Sequence, residues 1–315
     1  MAEQQQPAPE RKAAVPGGDP PSSWFDAFCN PARACRACLG EFKQDASLMS
    51  LFGESEANAS WAERFGTSPC FSADGNMILY LRGVFALFFL GHLPPHMAKW
   101  MNEGFYFIYL TNLTWLLEQV YFTLAFIVTY QARQRLQNQV KYTVTPGPCR
   151  LPVIVRITWM LMHLCLPASL LVMLMYWTLV NPFWNMNTNP DYFGYIVHGV
   201  NFVFCLLDFM LSRNLFRLRY MWITIAYAVL YTFWSWVHHA AKVGTYEPCD
   251  DVDDPGEGLY PREECPIYGT LDWHKAGGAF IMSALVVVCL VPMCHIPIFC
   301  CQHTRQQVDL KLQNV

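Results

Sequence analysis

Long runs of apolar residues, separated by short polar segments, dominate the chain from residue 77 onward. A helix that crosses a bilayer needs about 20 consecutive, mostly apolar residues, and six segments meet this requirement. The pattern therefore predicts an all-α fold, a polytopic membrane bundle of six transmembrane helices. The predicted spans are residues 77–93, 104–130, 151–180, 191–211, 220–241 and 276–301.

The polar segments outside these runs divide the chain into three regions. Residues 1–73 form an N-terminal segment, residues 74–301 the transmembrane domain, and residues 302–315 a tail. The first 22 residues are polar and rich in Pro and Gly, so we expect them to be disordered. They contain no apolar stretch of the signal-peptide kind, and the first internal helix is therefore expected to direct insertion.

Basic residues are distributed unequally between the two sets of loops, and this predicts the orientation. Loops 132–150 and 212–219 and the tail together contain nine Lys and Arg residues, against four in the opposite loops. Cytosolic loops of membrane proteins carry this excess. Both termini are therefore expected in the cytosol, and loop 242–275 is expected outside.

Composition agrees with a membrane protein and narrows its partners. Hydrophobic residues make up 54% of the chain and charged residues 14%, about half the charged fraction of a soluble domain. A net charge of −3 with no basic patch argues against a nucleic-acid partner. Membrane lipids are the expected partners.

The predicted outer loop, residues 242–275, contains nine acidic residues and two cysteines, Cys249 and Cys265. In an oxidising compartment these cysteines are expected to pair, which would contribute about 3 kcal/mol; two free thiols are the alternative. The acidic residues lack the spacing of an EF-hand calcium loop. We expect a solvated acidic loop that could receive a partner protein.

Ionisable residues inside predicted spans are costly in hydrocarbon, so each is a candidate for a structural or functional role. Arg82, Arg156 and Asp208 all fall near the inner boundary and are interpreted as a structural ion-pair group. Glu118 and His163 both lie about 18 Å from the inner edge, where they could form a structural or a proton-handling pair.

The outer halves of the second and fourth spans contain a possible catalytic pair. Thr111 and His198 each lie seven residues into a span that runs from outside to inside, so equal depth is expected. A hydroxyl needs a neighbouring base such as imidazole to become a nucleophile. Asn201, one turn from His198, could fix its tautomer or donate to an oxyanion. A back-bonded Thr and a packing His are the alternatives.

Histidines on the outer side suggest a competing interpretation as a metal site. His92 and His96 have the i, i+4 spacing of helical ligands, but Pro94 and Pro95 between them make a regular helix improbable. Interfacial histidines are the favoured interpretation, and no metal or cofactor is expected. The outer histidines are His92, His96, His198, His238, His239 and His274.

Three short motifs resemble the rolling stone family of animal membrane proteins: Phe105–Asn112, Tyr195–Asn201 and Ile267–Trp273. The resemblance covers residues 75–301 and implies a plasma-membrane protein associated with myoblast fusion. The family is distantly similar to the androgen-induced, FAR-17a-like hydrolases of fatty acid esters of hydroxy fatty acids. Those use a Thr in a Tyr-Leu-Thr context and a later His, which implies roles for Thr111 and His198 here.

Two functions therefore compete at the level of sequence. The first is a lipid ester hydrolase that acts from the outer leaflet through Thr111 and His198. The second is a non-enzymatic protein of cell fusion or adhesion that works through its acidic outer loop. A transporter or metal-handling protein is a third possibility, but no internal repeat or pair of broken helices supports it.

Overall fold

The computed structural model describes residues 55–70, 76–101, 105–142, 151–180, 191–245 and 262–313. Within these ranges the chain is helical and contains no β-strand, as the predicted all-α class requires. The long helices are α1 (Ser55–Gly66), α2 (Met77–Met101), α3 (Leu110–Tyr142), α4 (Val153–Met175), α5 (Tyr192–Leu211), α6 (Met221–Ala240) and α7, which comprises Ala276–Leu285 and Val291–Gln313.

Five helical segments of the described chain are long and apolar enough to cross a bilayer, and they identify an integral multi-pass membrane protein. They are Met77–Lys99, Leu110–Asn138, Val153–Val180, Tyr192–Leu211 and Gly269–Gln302. Helix α6 has 20 residues and no Lys, Arg, Asp or Glu, but its Trp, Tyr and His residues lower its hydropathy. Six spans and cytosolic termini therefore stay predictions.

Side-chain burial agrees with a bundle whose surroundings are apolar. Large hydrophobic side chains such as Leu87, Val153 and Ile281 are about 70% exposed, a pattern that soluble proteins avoid. The interior is aromatic, and Phe89, Trp115 and other side chains are fully buried between α2, α3, α4 and α5. Helix α3 is central, since it packs against α1, α2 and α4.

A buried ion pair joins α2 to α5 at the predicted inner end. Arg82 Nε donates to Asp208 Oδ1 at 2.6 Å, and both side chains are fully buried. Tyr121 from α3 donates to Asp208 at 2.5 Å, and Arg82 also donates to Thr129 Oγ1 and to the Phe65 carbonyl of α1. Two members of the expected ion-pair group, Arg82 and Asp208, thus pair with each other.

The third member of the expected group is on α4. Arg156 is half-buried in the first turn of α4.

The predicted pairing of Glu118 with His163 is wrong. His163 bonds the Trp159 carbonyl at 2.8 Å and accepts from the Arg217 amide at 2.9 Å, whereas Glu118 accepts from Asn201. The two residues share a depth, but they face different neighbours.

Three helices run further than the apolar pattern predicts. Helix α3 ends at Tyr142, beyond its predicted span. Helix α2 continues through Pro94 and Pro95 to Met101, so the expectation that these prolines prevent a helix there is wrong. Helix α7 passes residue 301 and ends at Gln313.

Cys265 is disulfide-bonded, but Cys249 lies outside the described residues, so the Cys249–Cys265 pairing stays a prediction.

Three π-helical turns occur within or at the end of helices in the described chain. They help to set the geometry of the candidate site. They are Tyr176–Val180, which continues α4, Ile196–Val200 inside α5, and Val286–Leu290 inside α7. A π-turn inserts an extra residue into the helix, and such turns occur frequently at functional sites. The first two turns meet, since Trp177 Nε1 donates to the His198 carbonyl at 3.0 Å.

Candidate active site

Thr111 is the second residue of α3, at the end of the bundle where α3 and α5 begin. This end is called the outer end, after the predicted orientation. The side chain is 8% exposed. The first helical hydrogen bond of α3 runs from the Leu113 amide to the Tyr109 carbonyl at 3.1 Å, so preceding amides have no partner within the helix. Thr111 thus lies at the partially positive end of the helix dipole.

Tyr268, from the segment that precedes α7, covers this helix end. Its side chain hydrogen-bonds with the Thr111 hydroxyl and with the backbone of Leu110 and Thr111. Tyr231 of α6 supports the same turn by donating to the Ile108 carbonyl at 2.9 Å. Burial raises the pKa of Tyr268, which keeps the phenol neutral and able to donate. Two of the three motifs, Phe105–Asn112 and Ile267–Trp273, therefore meet at Thr111.

The Tyr268 hydroxyl gives the first testable prediction. Tyr268→Phe removes the hydrogen bond to Thr111 but keeps the buried ring, so folding should be nearly unchanged. A lost neutral hydrogen bond costs about 1 kcal/mol, so its loss at the reacting hydroxyl should lower turnover of a lipid ester by about fivefold. Tyr106→Phe is the matched control, because Tyr106 is also buried but bonds His96 rather than Thr111. Equal turnover in the two variants would contradict a role for Tyr268.

His198 lies in the π-turn of α5, and its ring is held by aromatic stacking. The ring stacks on Tyr176 with centroids 3.5 Å apart and planes 3° apart. Its Nδ1 atom is buried and has no hydrogen-bond partner among the described residues. The imidazole is therefore fixed in orientation while one ring nitrogen stays available for a proton.

Thr111 lies on the side of α3 that faces α5. Thr111, Trp115 and Glu118 share one helix face by their i, i+4, i+7 spacing. Glu118 Oε1 on that face accepts from Asn201 Nδ2 of α5 at 3.2 Å, and α3 contacts the π-turn that carries His198. The two candidate residues thus lie on facing helices.

The same contact sets the register between the two helices. Thr111 lies about 10 Å toward the outer end from Glu118, and His198 about 4 Å from Asn201. Thr111 is therefore about 6 Å nearer the outer end, although equal depth was expected. Side chains lean toward the N-terminus of their own helix, so the longer imidazole closes part of this offset. No hydrogen bond joins Thr111 and His198 among the contacts of the described residues.

Asn201 does not contact His198 in the way the sequence suggested. Its amide nitrogen donates to Glu118, and its Oδ1 accepts from the Phe202 amide at 2.8 Å. Asn201 therefore ties α5 to α3 one turn below His198. The second carboxylate oxygen of Glu118 is buried and has no hydrogen-bond partner among the described residues.

The remaining outer histidines are dispersed over separate partners. His92 bonds the Phe88 carbonyl and the Tyr192 hydroxyl, each at 2.8 Å, and His96 bonds the Tyr106 hydroxyl at 3.3 Å. Burial raises the pKa of Tyr106, which favours its neutral form. Within the described part of the chain, no group of three His, Cys, Asp or Glu side chains is arranged to hold a metal.

The N-terminus of α5 is fixed by an ion pair near the candidate site. Asp191 accepts from the Gly194 amide at 2.8 Å as an N-cap and pairs with Lys99 of α2. Burial raises the pKa of Asp191, but the hydrogen bonds from Lys99 and the Gly194 amide, together with the positive charge of Lys99, outweigh it and the net pKa is lowered. The carboxylate therefore stays ionised and holds α2 against α5.

A cavity adjoins the Thr111 helix end. It lies between α3, α4, α6 and α7. Leu110 and Tyr268, which flank Thr111, line its outer end, and Ala168 and Thr224 lie furthest inward. Sequence reasoning did not find this cavity or Tyr268, because neither has a local sequence pattern; each depends on which helices pack together.

Comparisons with known proteins agree with the resemblance of the three motifs. The family model described as FAR-17a/AIG1-like protein matches residues 76–246. A curated relative, "Protein rolling stone" of Drosophila melanogaster, is 24% identical over 224 residues, which cover 69% of this chain and 73% of that protein. No solved structure matches the chain significantly.

Proposed function

Because the chain belongs to the FAR-17a/AIG1-like family, we propose that it is a membrane-embedded hydrolase of lipid esters, with Thr111 as nucleophile and His198 as general base. The observation that carries this proposal is the position of the Thr111 hydroxyl. It lies buried at the N-terminus of α3, bonded to Tyr268, beside an apolar cavity. The membrane lipids themselves are the proposed substrates.

The first half of the reaction forms an acyl-enzyme. A ring nitrogen of His198 takes the proton from the Thr111 hydroxyl as Oγ1 bonds to the ester carbonyl carbon. The carbonyl electron pair moves onto oxygen, and the helix N-terminus and the Tyr268 hydroxyl stabilise this oxyanion. The tetrahedral intermediate collapses, the ester C–O bond breaks, and the alcohol leaves with the proton from His198.

The second half releases the acid. Water gives a proton to His198 as its oxygen bonds to the acyl carbon, and a second oxyanion forms at the same position. Collapse breaks the bond between the acyl carbon and Thr111 Oγ1, which recovers the proton from His198. The free fatty acid and the starting enzyme result.

Covalent labelling tests this proposal through His198. A fluorophosphonate probe phosphonylates an activated hydroxyl with loss of fluoride, so the purified wild-type protein should label. His198→Gln should lower the labelling rate by about 10²-fold or more, the usual contribution of a general base. His239→Gln is the matched control, because this outer histidine contacts His274 rather than the candidate site.

Labelling of both histidine variants at the wild-type rate would contradict the base role of His198. No labelling of a well-folded wild-type protein would favour the second candidate function, fusion or adhesion through the outer loop. That candidate rests on the similarity to "Protein rolling stone" and on the base of the loop, where Lys242 donates to Glu264 at 2.6 Å. In both functions the proposed location is the plasma membrane.

A further inference from the structure

The cavity beside Thr111 presents an apolar surface even though hydroxyl groups line it. Thr114 donates to the Leu110 carbonyl at 2.8 Å, Thr232 to the Ala228 carbonyl at 3.0 Å, and Ser283 to the Ala279 carbonyl at 2.8 Å. The same is true of the other lining hydroxyls: Thr224 bonds His163 O, Tyr227 bonds Thr114, Tyr231 bonds Ile108 O and Tyr268 bonds Thr111. An apolar occupant therefore loses no hydrogen bond on entering.

The cavity is elongated along the helices. On α6 its lining extends from Thr224 to Thr232, about 12 Å of helix rise. On α4 it extends from Ala168 to Met175, about 10 Å. The outer end is the end beside Thr111, and small side chains, Ala168 and Ala228, line the interior.

We propose that this cavity binds the acyl chain of a lipid ester, methyl end inward, and that Ala168 and Ala228 set the chain length that the protein accepts. The proposal rests on the proposed function, because the carbonyl must lie at Thr111 for the tail to extend inward. The lining of this cavity is apolar, because the hydroxyl groups in it are paired with other groups of the protein. An apolar tail fits it better than water, which needs polar partners.

Binding can be measured separately from hydrolysis. The probe is palmitic acid carrying a diazirine and an alkyne, photo-crosslinked to the purified full-length chain in detergent. The expected labels lie on peptides of α4, α6 and α7, in wild type and in Thr111→Ala alike. Ala228→Phe should reduce crosslinking by more than about tenfold, since each excluded methylene weakens binding by about fourfold.

Val229→Phe is the matched control for this variant, because Val229 is the next residue of α6 and is 50% exposed on the outer surface of the bundle. A second variant, Ala168→Leu, adds volume at the inner end only. This variant should weaken the ability of unlabelled palmitic acid to block crosslinking of the probe. The ability of octanoic acid to block crosslinking should stay within about twofold of wild type. This measurement also serves if Ala228→Phe does not fold.

The possible results separate the two proposals. Crosslinks in the cavity without any ester hydrolysis would leave the acyl-chain site standing and overturn the hydrolase. Hydrolysis whose chain-length preference is the same in wild type, Ala228→Phe and Ala168→Leu would overturn the acyl-chain site and leave the hydrolase standing. Equal loss of crosslinking in Ala228→Phe and Val229→Phe would also overturn the site.

Discussion

Thr111→Ala should abolish both fluorophosphonate labelling and lipid ester hydrolysis, by at least about 10³-fold, while the protein remains folded in the membrane. The expected size of this loss follows from the role of Thr111. Loss of a nucleophile removes the covalent route and leaves only residual effects of binding. Thr111→Ser keeps the hydroxyl at the helix N-terminus and should retain activity within about tenfold. Turnover by detergent-purified protein, with product fatty acid measured directly, checks these results.

The control for Thr111→Ala is another buried threonine that has no contact with the site. Thr158 of α4 is fully buried, and its hydroxyl donates to the Ile154 carbonyl at 2.8 Å. Thr158→Ala should therefore keep full activity. Turnover retained in Thr111→Ala would sink the proposed mechanism, whatever the controls show.

Asp208→Ala should destabilise the protein by about 3–5 kcal/mol, the usual result of leaving one member of a buried ion pair unpaired. The substitution leaves the Arg82 guanidinium and the Tyr121 hydroxyl without their acceptor in a fully buried place. Unfolding of the detergent-solubilised protein by heat, followed by its intrinsic fluorescence, measures the loss. The double variant Arg82→Met/Asp208→Leu should recover part of it, because no charge is then left buried.

An exposed ion pair provides the comparison. Glu63 of α1 pairs with Arg213 at 3.2 Å, and the Glu63 side chain is 56% exposed. Pairs of this kind contribute about 0–1 kcal/mol, so Glu63→Ala should lower the unfolding temperature only slightly. If Asp208→Ala were equally mild, the buried network would not be a main contact between α2 and α5.

The sequence predicts the helices better than their ends or their neighbours. Apolar runs depend only on the local chain, and they marked every long helix from α2 to α7. The ends of α2, α3 and α7 were missed because hydrocarbon thickness limits the apolar run but not the helix. Depth along a span placed Arg82 and Asp208 in one group with Arg156, and Arg82 does pair with Asp208. It failed for Glu118 and His163, because depth gives no information on the direction in which a side chain points around its helix.

Only part of the candidate site could be predicted, because the sequence shows residue types but not how the helices pack. Thr111 and His198 are chemical outliers in apolar helices, so residue type alone selected them. The π-turn around His198 and the 6 Å offset from Thr111 have no local signal, since they follow from how α3, α4 and α5 pack. Tyr268 comes from a distant part of the chain and was not singled out, although it lies in one of the three motifs that resemble the family.

The Arg82–Asp208 pair also has a consequence for biosynthesis. The two residues are 126 positions apart, so α2 is made long before its partner carboxylate exists. At about 5–20 residues per second, the arginine waits for about 6–25 s. An unpaired Arg in a span is unfavourable, so α2 should stay at the insertion machinery or at the lipid surface until α5 emerges. The bundle is therefore expected to assemble late, when its fourth predicted span arrives.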